Sequence, residues 1–156
     1  MQKILISACL IGENVRFDGK NSANSSKIIE KWKKSGVFIT VCPEVEGGLP
    51  VPRPPAEIQP DKRIINIEGE DVSEPFELGA QKALTLCREN NIHVAILKEG
   101  SPSCGSSLIN NGAFSHRKIA GQGVTTIILE SNGIRVFSEN ELEQAEHYFK
   151  SVISSG

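Results

Sequence analysis

The chain has 156 residues, enough for one domain with a sizeable core, and its formal net charge is −2 at pH 7. This small charge gives no long-range attraction toward a nucleic acid polymer or an anionic membrane, and aromatic residues are scarce at 5%. No apolar run approaches the ~18 residues of a membrane-spanning helix. We therefore expect a single domain over residues 1–156, located in the cytoplasm, where cysteines serve metal binding or catalysis rather than disulfides.

The first 42 residues predict a β-α-β unit. Residues 3–8 form an almost continuous apolar run, typical of a strand buried on both faces. Ser25 or Ser26 can cap the helix that follows, and Gly36 can end it. A second apolar run, residues 37–41, predicts the next strand and leads directly into Cys42. Two strands joined through a helix in this order indicate a parallel sheet.

The next segment, residues 41–57, contains five of the chain's eight prolines. It is either a linker or a stiff loop. Prolines fix φ, whereas a flexible linker would be rich in glycine and serine, so we interpret the segment as a stiff loop. Cys42 and Glu44 open this loop, and Arg53 and Glu57 are placed to fold back over a pocket.

The remaining elements follow in order. Residues 63–67 predict a short strand before a polar turn, and Ser73 is a candidate cap for a helix that ends near residue 90. Residues 93–98 predict a third buried strand, followed by a long loop that carries Cys104. A helix over residues 122–131 and a strand over 134–137 come next, and Ser138 with Glu141 predicts a capping box for the last helix. The alternation predicts an α/β fold with a mainly parallel sheet flanked by helices.

Three of the four cysteines follow predicted strands. Cys9 and Cys42 come directly after the first two, and Cys104 lies in the loop after the third. The carboxyl ends of parallel strands meet at one edge of the sheet, where ligands bind, so we expect these thiols to converge there. The alternative is three unrelated buried cysteines. Cys87 falls on the apolar face of its predicted helix and is interpreted as a core residue.

Three converging thiolates can hold either of two inorganic groups. The sequence has no paired C-x-x-C motif of a structural zinc site. A [4Fe-4S] cluster held by three cysteines keeps one iron without a protein ligand, and that iron can bind a sulfur atom. A catalytic zinc with three sulfurs and a water is the alternative, and the spacing does not separate the two.

Polar residues of suitable chemistry accompany the thiols. Glu44 is a candidate general base, because a carboxylate in a partly dry site has its pKa raised toward working pH. Ser101 and Ser103 can donate hydrogen bonds to a substrate or a sulfur atom, or they cap the local turn. Three cations, each of which is alternatively an ordinary surface residue, are candidates for binding an anionic part of a substrate: Arg16, Arg53 and Lys98.

Several motifs together resemble the DUF523 family, which includes the thiouracil desulfurases. They run in order through residues 7–10, 16–19, 42–44, 47–50, 52–57 and 101–105. The resemblance implies a Rossmann-like domain with a [4Fe-4S] cluster on Cys9, Cys42 and Cys104. It also implies non-redox removal of sulfur from a thiolated uracil, such as thiouracil or 4-thiouridine monophosphate, by an activated water. Glu44 and Ser101 match family positions, whereas Val15 stands where many members carry a further cysteine.

The leading hypothesis is a cytoplasmic iron–sulfur desulfurase acting on a small thiolated uracil, nucleoside or nucleotide. In this hypothesis Glu44 activates water and Ser101 positions the ring. Two alternatives remain open at this point: a non-catalytic iron–sulfur or metal-sensing protein, and a zinc hydrolase with three thiolate ligands.

Overall fold

The structure is a computed structural model that describes residues 1–155. A short 3-10 turn, Ala8–Ile11, follows the first strand. The strands and helices, in chain order, are β1 (Ile4–Ser7), α1 (Lys27–Ser35), β2 (Phe38–Val41), α2 (Pro43–Glu46), β3 (Ala56–Ile58), β4 (Ile64–Asn66), α3 (Ser73–Glu89), β5 (Val94–Leu97), β6 (Leu108–Asn110), β7 (Lys118–Ala120), α4 (Val124–Ser131), β8 (Arg135–Ser138) and α5 (Leu142–Ser155).

The central sheet has four parallel strands in the order β2-β1-β5-β8. The chain fills the sheet outward from β1, first to β2 on one side and then to β5 and β8 on the other. The strand order therefore reverses between β1 and β5, and that point is where doubly wound sheets form a crevice at their carboxyl ends. The predicted α/β fold with a mainly parallel sheet is confirmed.

Helices cover both faces of the sheet. Alternate residues of a strand face opposite sides, so Ile4 and Ile6 pack toward α1 and α5, whereas Leu5 packs toward α3 and α4. Trp32 lies in the core on the same side of the sheet as Ile4 and Ile6, and Cys87 lies in the core on the side of Leu5. Burial on both sides explains why β1 and β5 are apolar at almost every position.

Helix boundaries agree with the sequence in some places and differ in others. Ser26 caps α1, accepting the Ile29 N–H at 3.2 Å, and Gly36 ends that helix in the left-handed conformation. Ser73 is not a cap: its hydroxyl accepts the Ile64 N–H at 2.9 Å, which ties β4 to the start of α3. The Ser138 N–H donates to the Glu141 carboxylate at 3.0 Å, but α5 begins one turn later than the capping box predicts.

Two antiparallel hairpins lie outside the central sheet. One pairs β3 with β4, and the other pairs β6 with β7 inside the segment predicted as a long loop. Glu57 joins them, because its carboxylate accepts the N–H groups of Gly112 and Phe114 at 2.9 and 3.2 Å. The hairpins therefore form one wall over the carboxyl edge of the sheet.

Helices α2 and α3 cross at two glycines. A Cβ atom at Gly79 would lie 1.7 Å from the Pro43 carbonyl oxygen, and one at Gly47 would lie 1.9 Å from that of Pro75. Only glycine permits this backbone contact, which fixes α2 directly after Cys42. Among the described residues, no helix combines the length and apolar character needed to cross a membrane.

Candidate active site

A cavity of about 540 Å³ opens at the carboxyl ends of β1, β2 and β5. Its walls come from the strand ends, the proline-rich loop, the loop after β5 and the two hairpins. Eight of the nine predicted site residues line it: Cys9, Arg16, Cys42, Glu44, Arg53, Lys98, Ser101 and Cys104. The residues lie at the edge of the sheet that the sequence indicated, and side chains up to 95 positions apart meet there because the parallel strands end together.

The three cavity cysteines are free thiols, and Cys42 interacts electrostatically with both Cys9 and Cys104. Cys9 and Cys104 are buried, and Cys42 is half-buried. Burial, with the neighbouring Cys42, raises the pKa of Cys9 to about 11. Burial also raises the pKa values of Cys42 and Cys104. Without a metal, these thiols are neutral at physiological pH.

Cys87 lies elsewhere, as the sequence predicts. It is buried in the core between α3 and the sheet, and burial alone raises its pKa to about 12. It is not among the cavity-lining residues. Cys87 therefore provides an internal control for experiments on the other three thiols.

Glu44 projects from α2 into the cavity and pairs with Arg53. The Arg53 Nε lies 3.3 Å from Glu44 Oε1, and its other nitrogens donate to the carbonyls of Pro50 and Val15 at 3.1 and 2.9 Å. Burial raises the pKa of Glu44, and the Arg53 guanidinium opposes that rise. Arg53 also lines the cavity, where it holds Glu44 and the proline-rich loop in place, and its contact with a substrate stays a prediction.

Ser101 faces Glu44 from the loop after β5. Its Oγ accepts the N–H groups of Ser103 and Cys104 at 3.0 and 3.2 Å, and it lies 3.5 Å from Glu44 Oε2. A hydroxyl has two acceptor sites and one proton, and both acceptor sites are used by the turn. The proton is therefore directed into the cavity, where it can donate to Glu44 or to a ligand.

Ser103 does not line the cavity, which corrects the prediction that it binds substrate. Its side chain is fully buried and its hydroxyl shares a 2.7 Å hydrogen bond with Thr125. Gly123, at the start of α4, explains this burial: a Cβ there would lie 2.4 Å from the Ser103 carbonyl carbon. The loop backbone packs directly on α4, so Ser103 stands behind the cavity wall.

Arg16 and Lys98 remain candidates for binding an anionic group. Arg16 is partly exposed. Its guanidinium lies 3.3 Å from the Asp18 carboxylate and donates a hydrogen bond to the Ser22 hydroxyl at 3.1 Å. Lys98 lies 2.9 Å from the carboxylate of Glu139. Both cations favour the ionised form of Cys9, so they bring positive charge close to the thiols.

Two cavity carboxylates were not assigned a site role by the sequence. Glu57, which was expected only to fold back over the pocket, does so and joins the hairpins. Glu99 accepts hydrogen bonds from the loop that carries Cys104. One feature of the sequence could have indicated this role: Glu99 is followed by Gly100 and a serine-rich stretch. Such a composition is typical of a loop whose backbone N–H groups donate to a nearby side chain.

The donor set suits an iron–sulfur cluster, whose usual protein ligands are cysteine thiolates. A zinc ion binds each thiolate sulfur at ~2.3 Å, so all three sulfur atoms would have to surround the same ion. A [4Fe-4S] cluster binds each cysteine to a different iron and is larger. Three thiols on separate walls of one cavity match that requirement.

Comparison with known proteins agrees with this geometry. Residues 4–141 match the 2-thiouracil desulfurase family. Protein YbbK of Bacillus subtilis (strain 168) is 44% identical over 148 residues, covering 89% of this chain and 97% of YbbK. A solved structure of the [4Fe-4S]-dependent thiouracil desulfidase TudS (DUF523Vcz) is 45% identical with a TM-score of 0.93, covering 96% of this chain and 99% of that one. These matches confirm the resemblance to DUF523, and the chain belongs to the 2-thiouracil desulfurase family.

Proposed function

We propose that this protein is a [4Fe-4S]-dependent desulfurase that converts a thiolated uracil, nucleoside or nucleotide into its oxo product without net redox change. The reaction exchanges sulfur for oxygen: the thiocarbonyl and water give the carbonyl and hydrogen sulfide. The observation that carries the proposal is the meeting of three thiols with the Glu44–Ser101 pair in one cavity. Membership of the family and the likeness to TudS support it.

Cys9, Cys42 and Cys104 are the proposed cluster ligands. When bound, such a cluster supplies an iron without a protein ligand, a Lewis acid with high affinity for sulfur. The protein contributes the walls: β1 and β2 fix two ligands, and the loop after β5 fixes the third. Cysteine binds iron as a thiolate. Because the pKa values of these thiols are raised, each one still carries its proton at neutral pH and must lose it when iron binds.

Glu44 is the proposed general base. Its ionised carboxylate accepts a proton from the water that attacks the thiolated carbon. Burial raises its pKa, which makes it a stronger base than an exposed glutamate, and the Arg53 guanidinium opposes that rise. Arg53 also fixes the direction of the carboxylate, because its other donors are held by backbone carbonyls.

Ser101 is the proposed positioning donor for the substrate. Its hydroxyl proton points into the cavity and can bind a ring oxygen or nitrogen of a pyrimidine. Arg16 and Lys98 are proposed to bind the anionic or carbonyl groups of the substrate. The cavity volume of about 540 Å³ leaves room for both a cluster and a small heterocycle.

The test is anaerobic cluster reconstitution followed by iron analysis and a sulfide-release assay. Thiouracil and 4-thiouridine monophosphate are the substrates, and uracil is the blank. We expect about four irons per chain, from the composition of the cluster, and stoichiometric release of sulfide with the oxo product. Iron without turnover would favour the sensor, and one zinc per chain would favour the zinc hydrolase.

Cysteine variants supply the matched comparison. Replacing Cys104 with serine removes a proposed ligand, and we expect loss of iron and of sulfide release. Replacing Cys87 with alanine removes a thiol that lies in the core, so iron content and activity should remain. Full activity in Cys104→Ser would contradict the proposal.

A further inference from the structure

The Glu99 carboxylate accepts six hydrogen bonds from a single loop. Its Oε1 accepts the N–H groups of Gly100, Ser106, Ser107 and Leu108, at 2.9–3.2 Å. Its Oε2 accepts the hydroxyls of Ser106 and Ser107, at 3.0 and 2.8 Å. A carboxylate offers about four acceptor positions, so every position is used by these donors.

These hydrogen bonds close residues 99–108 into a ring that contains Ser101 and Cys104. Inside the ring, the Gly105 N–H donates to the Ser101 carbonyl at 2.9 Å, and the Ser101 hydroxyl accepts the Cys104 N–H. The backbone N–H of Glu99 itself donates to Glu139 at 2.8 Å, just after β8. The ring is therefore tied both to its own far end and to the edge of the sheet.

We infer that Glu99 is a positioning residue that holds Cys104 and Ser101 in their reactive arrangement before any cofactor binds. This inference rests on the proposed function, because it takes Cys104 as a ligand and Ser101 as a substrate donor. The chemistry requires a carboxylate: an amide would offer one oxygen and turn its NH₂ donors toward N–H and O–H groups.

Glu99 does not serve as an acid or base in this arrangement. Burial acts to raise its pKa, but hydrogen bonds from Leu108, Ser107 and Ser106 outweigh burial and hold the pKa at about 2. The carboxylate therefore stays ionised at working pH, with its oxygens directed at loop donors. Its effect on the reaction is exerted through Cys104 and Ser101.

The experiment measures thiol alkylation by iodoacetamide in the reduced, metal-free protein, followed residue by residue by mass spectrometry. Cys104 reports on the ring, and Cys87 reports on opening of the core. In Glu99→Gln we expect Cys104 to react about tenfold faster than in the wild type, the effect of losing a charge-assisted hydrogen bond. The Cys87 rate should not change. Equal acceleration of both thiols, or of neither, would overturn the inference.

Two further variants keep the test decisive. Asp71→Asn is the control, because that carboxylate also accepts a loop N–H, from Ser73 at 2.9 Å, but does not line the cavity. It should leave the Cys104 rate unchanged. Ser107→Ala removes one hydroxyl donor to Glu99 and is used if Glu99→Gln does not fold. A smaller acceleration confined to Cys104 supports the inference, and no acceleration contradicts it.

A second readout follows the loaded protein. Reconstituted Glu99→Gln is expected to lose iron faster than the wild type under a chelator and to show an altered visible circular dichroism spectrum. Identical iron loss and spectra would count against the positioning role. Absence of iron in the wild type would defeat the proposed function alone, because the alkylation rates still test Glu99 in the metal-free protein.

Discussion

The ion pair between Glu44 and Arg53 should set the pH range in which Glu44 can act as the proposed general base. Burial raises the pKa of Glu44, and Arg53 is the largest influence lowering it. A base must be ionised, so activity should fall as pH drops through this raised pKa. Two opposing effects of buried groups thus determine the acid limit of the reaction.

Replacing Arg53 with methionine removes the charge and keeps much of the side-chain volume. The pKa of Glu44 should then rise further, and the acid limb of the kcat profile should move to higher pH. The measurement is sulfide release against pH in reconstituted protein. Arg63→Met, at an exposed arginine before β4, is the control and should leave the limb in place. An unmoved limb in Arg53→Met would contradict the assignment.

The two serines of the loop after β5 should behave differently when replaced by alanine. Ser103 is buried against Thr125, so Ser103→Ala should lower the free energy of unfolding by about 1 kcal/mol and leave KM unchanged. Ser101 directs its proton into the cavity, so Ser101→Ala should raise KM or lower kcat severalfold. Urea titration and steady-state kinetics separate the two. A raised KM in Ser103→Ala alone would restore the original prediction.

Among elements, α2 depends on the glycine contacts it makes with α3. The helix has only four residues, yet it begins at Pro43 and carries Glu44. Its position comes from packing, since Gly47 and Gly79 allow the two backbones to meet. A change on α3 should therefore reach the site through α2.

Gly79→Ala tests this connection. In an exposed helix the change would stabilise by up to ~1 kcal/mol. Here the new Cβ would lie 1.7 Å from the Pro43 carbonyl, so we expect destabilisation of about 1–3 kcal/mol and weaker iron binding. Gln81→Ala, on the exposed side of the same helix, should be close to neutral. Unfolding in urea and iron analysis provide the readouts, and stabilisation by Gly79→Ala would contradict the packing argument.

The central strands were predictable, and the hairpins were not. Strands β1 and β5 are buried on both faces, so their sequences are almost entirely apolar. Strands β6 and β7 have three residues each and are largely exposed, so they lack the alternation that identifies a strand. Ser73 was misassigned because its hydroxyl accepts a hydrogen bond from Ile64 in the preceding strand, a contact that a capping motif does not reveal.

At the scale of the whole molecule, Glu99 should stabilise the fold at neutral pH and make its stability fall in acid. Its pKa is about 2 in the fold against an ordinary value of 4.5. A lowered pKa stabilises the fold above the unfolded value, and that contribution is lost as pH falls from about 4.5 toward 2. Glu99→Gln should therefore differ most from the wild type at neutral pH and progressively less below pH about 4. Urea titrations across this range test it, and a constant difference would contradict it.

The convergence of the cavity residues was predictable from the sequence, but the side chains that hold them in place were less so. Cys9, Cys42 and Glu44 stand at strand ends, where topology alone brings them together. The roles of Arg53 and Glu99 depend on backbone carbonyls and N–H groups contributed by distant or irregular segments. Backbone carbonyl and N–H groups are present in nearly every residue. The sequence therefore gives little indication of which side chain will form hydrogen bonds with them.

If the three cavity thiols bind the proposed cluster, their raised pKa values make cofactor loading a proton-releasing reaction. Each thiol must become a thiolate, so each loaded cluster should release about three protons near neutral pH. Loading should become more favourable as the medium becomes alkaline, and calorimetry in buffers of different ionisation enthalpy would count the protons. The raised pKa values should also slow oxidation of the metal-free protein, because neutral thiols are poor nucleophiles. We therefore expect the three cavity thiols to form disulfides only slowly before the cofactor is loaded.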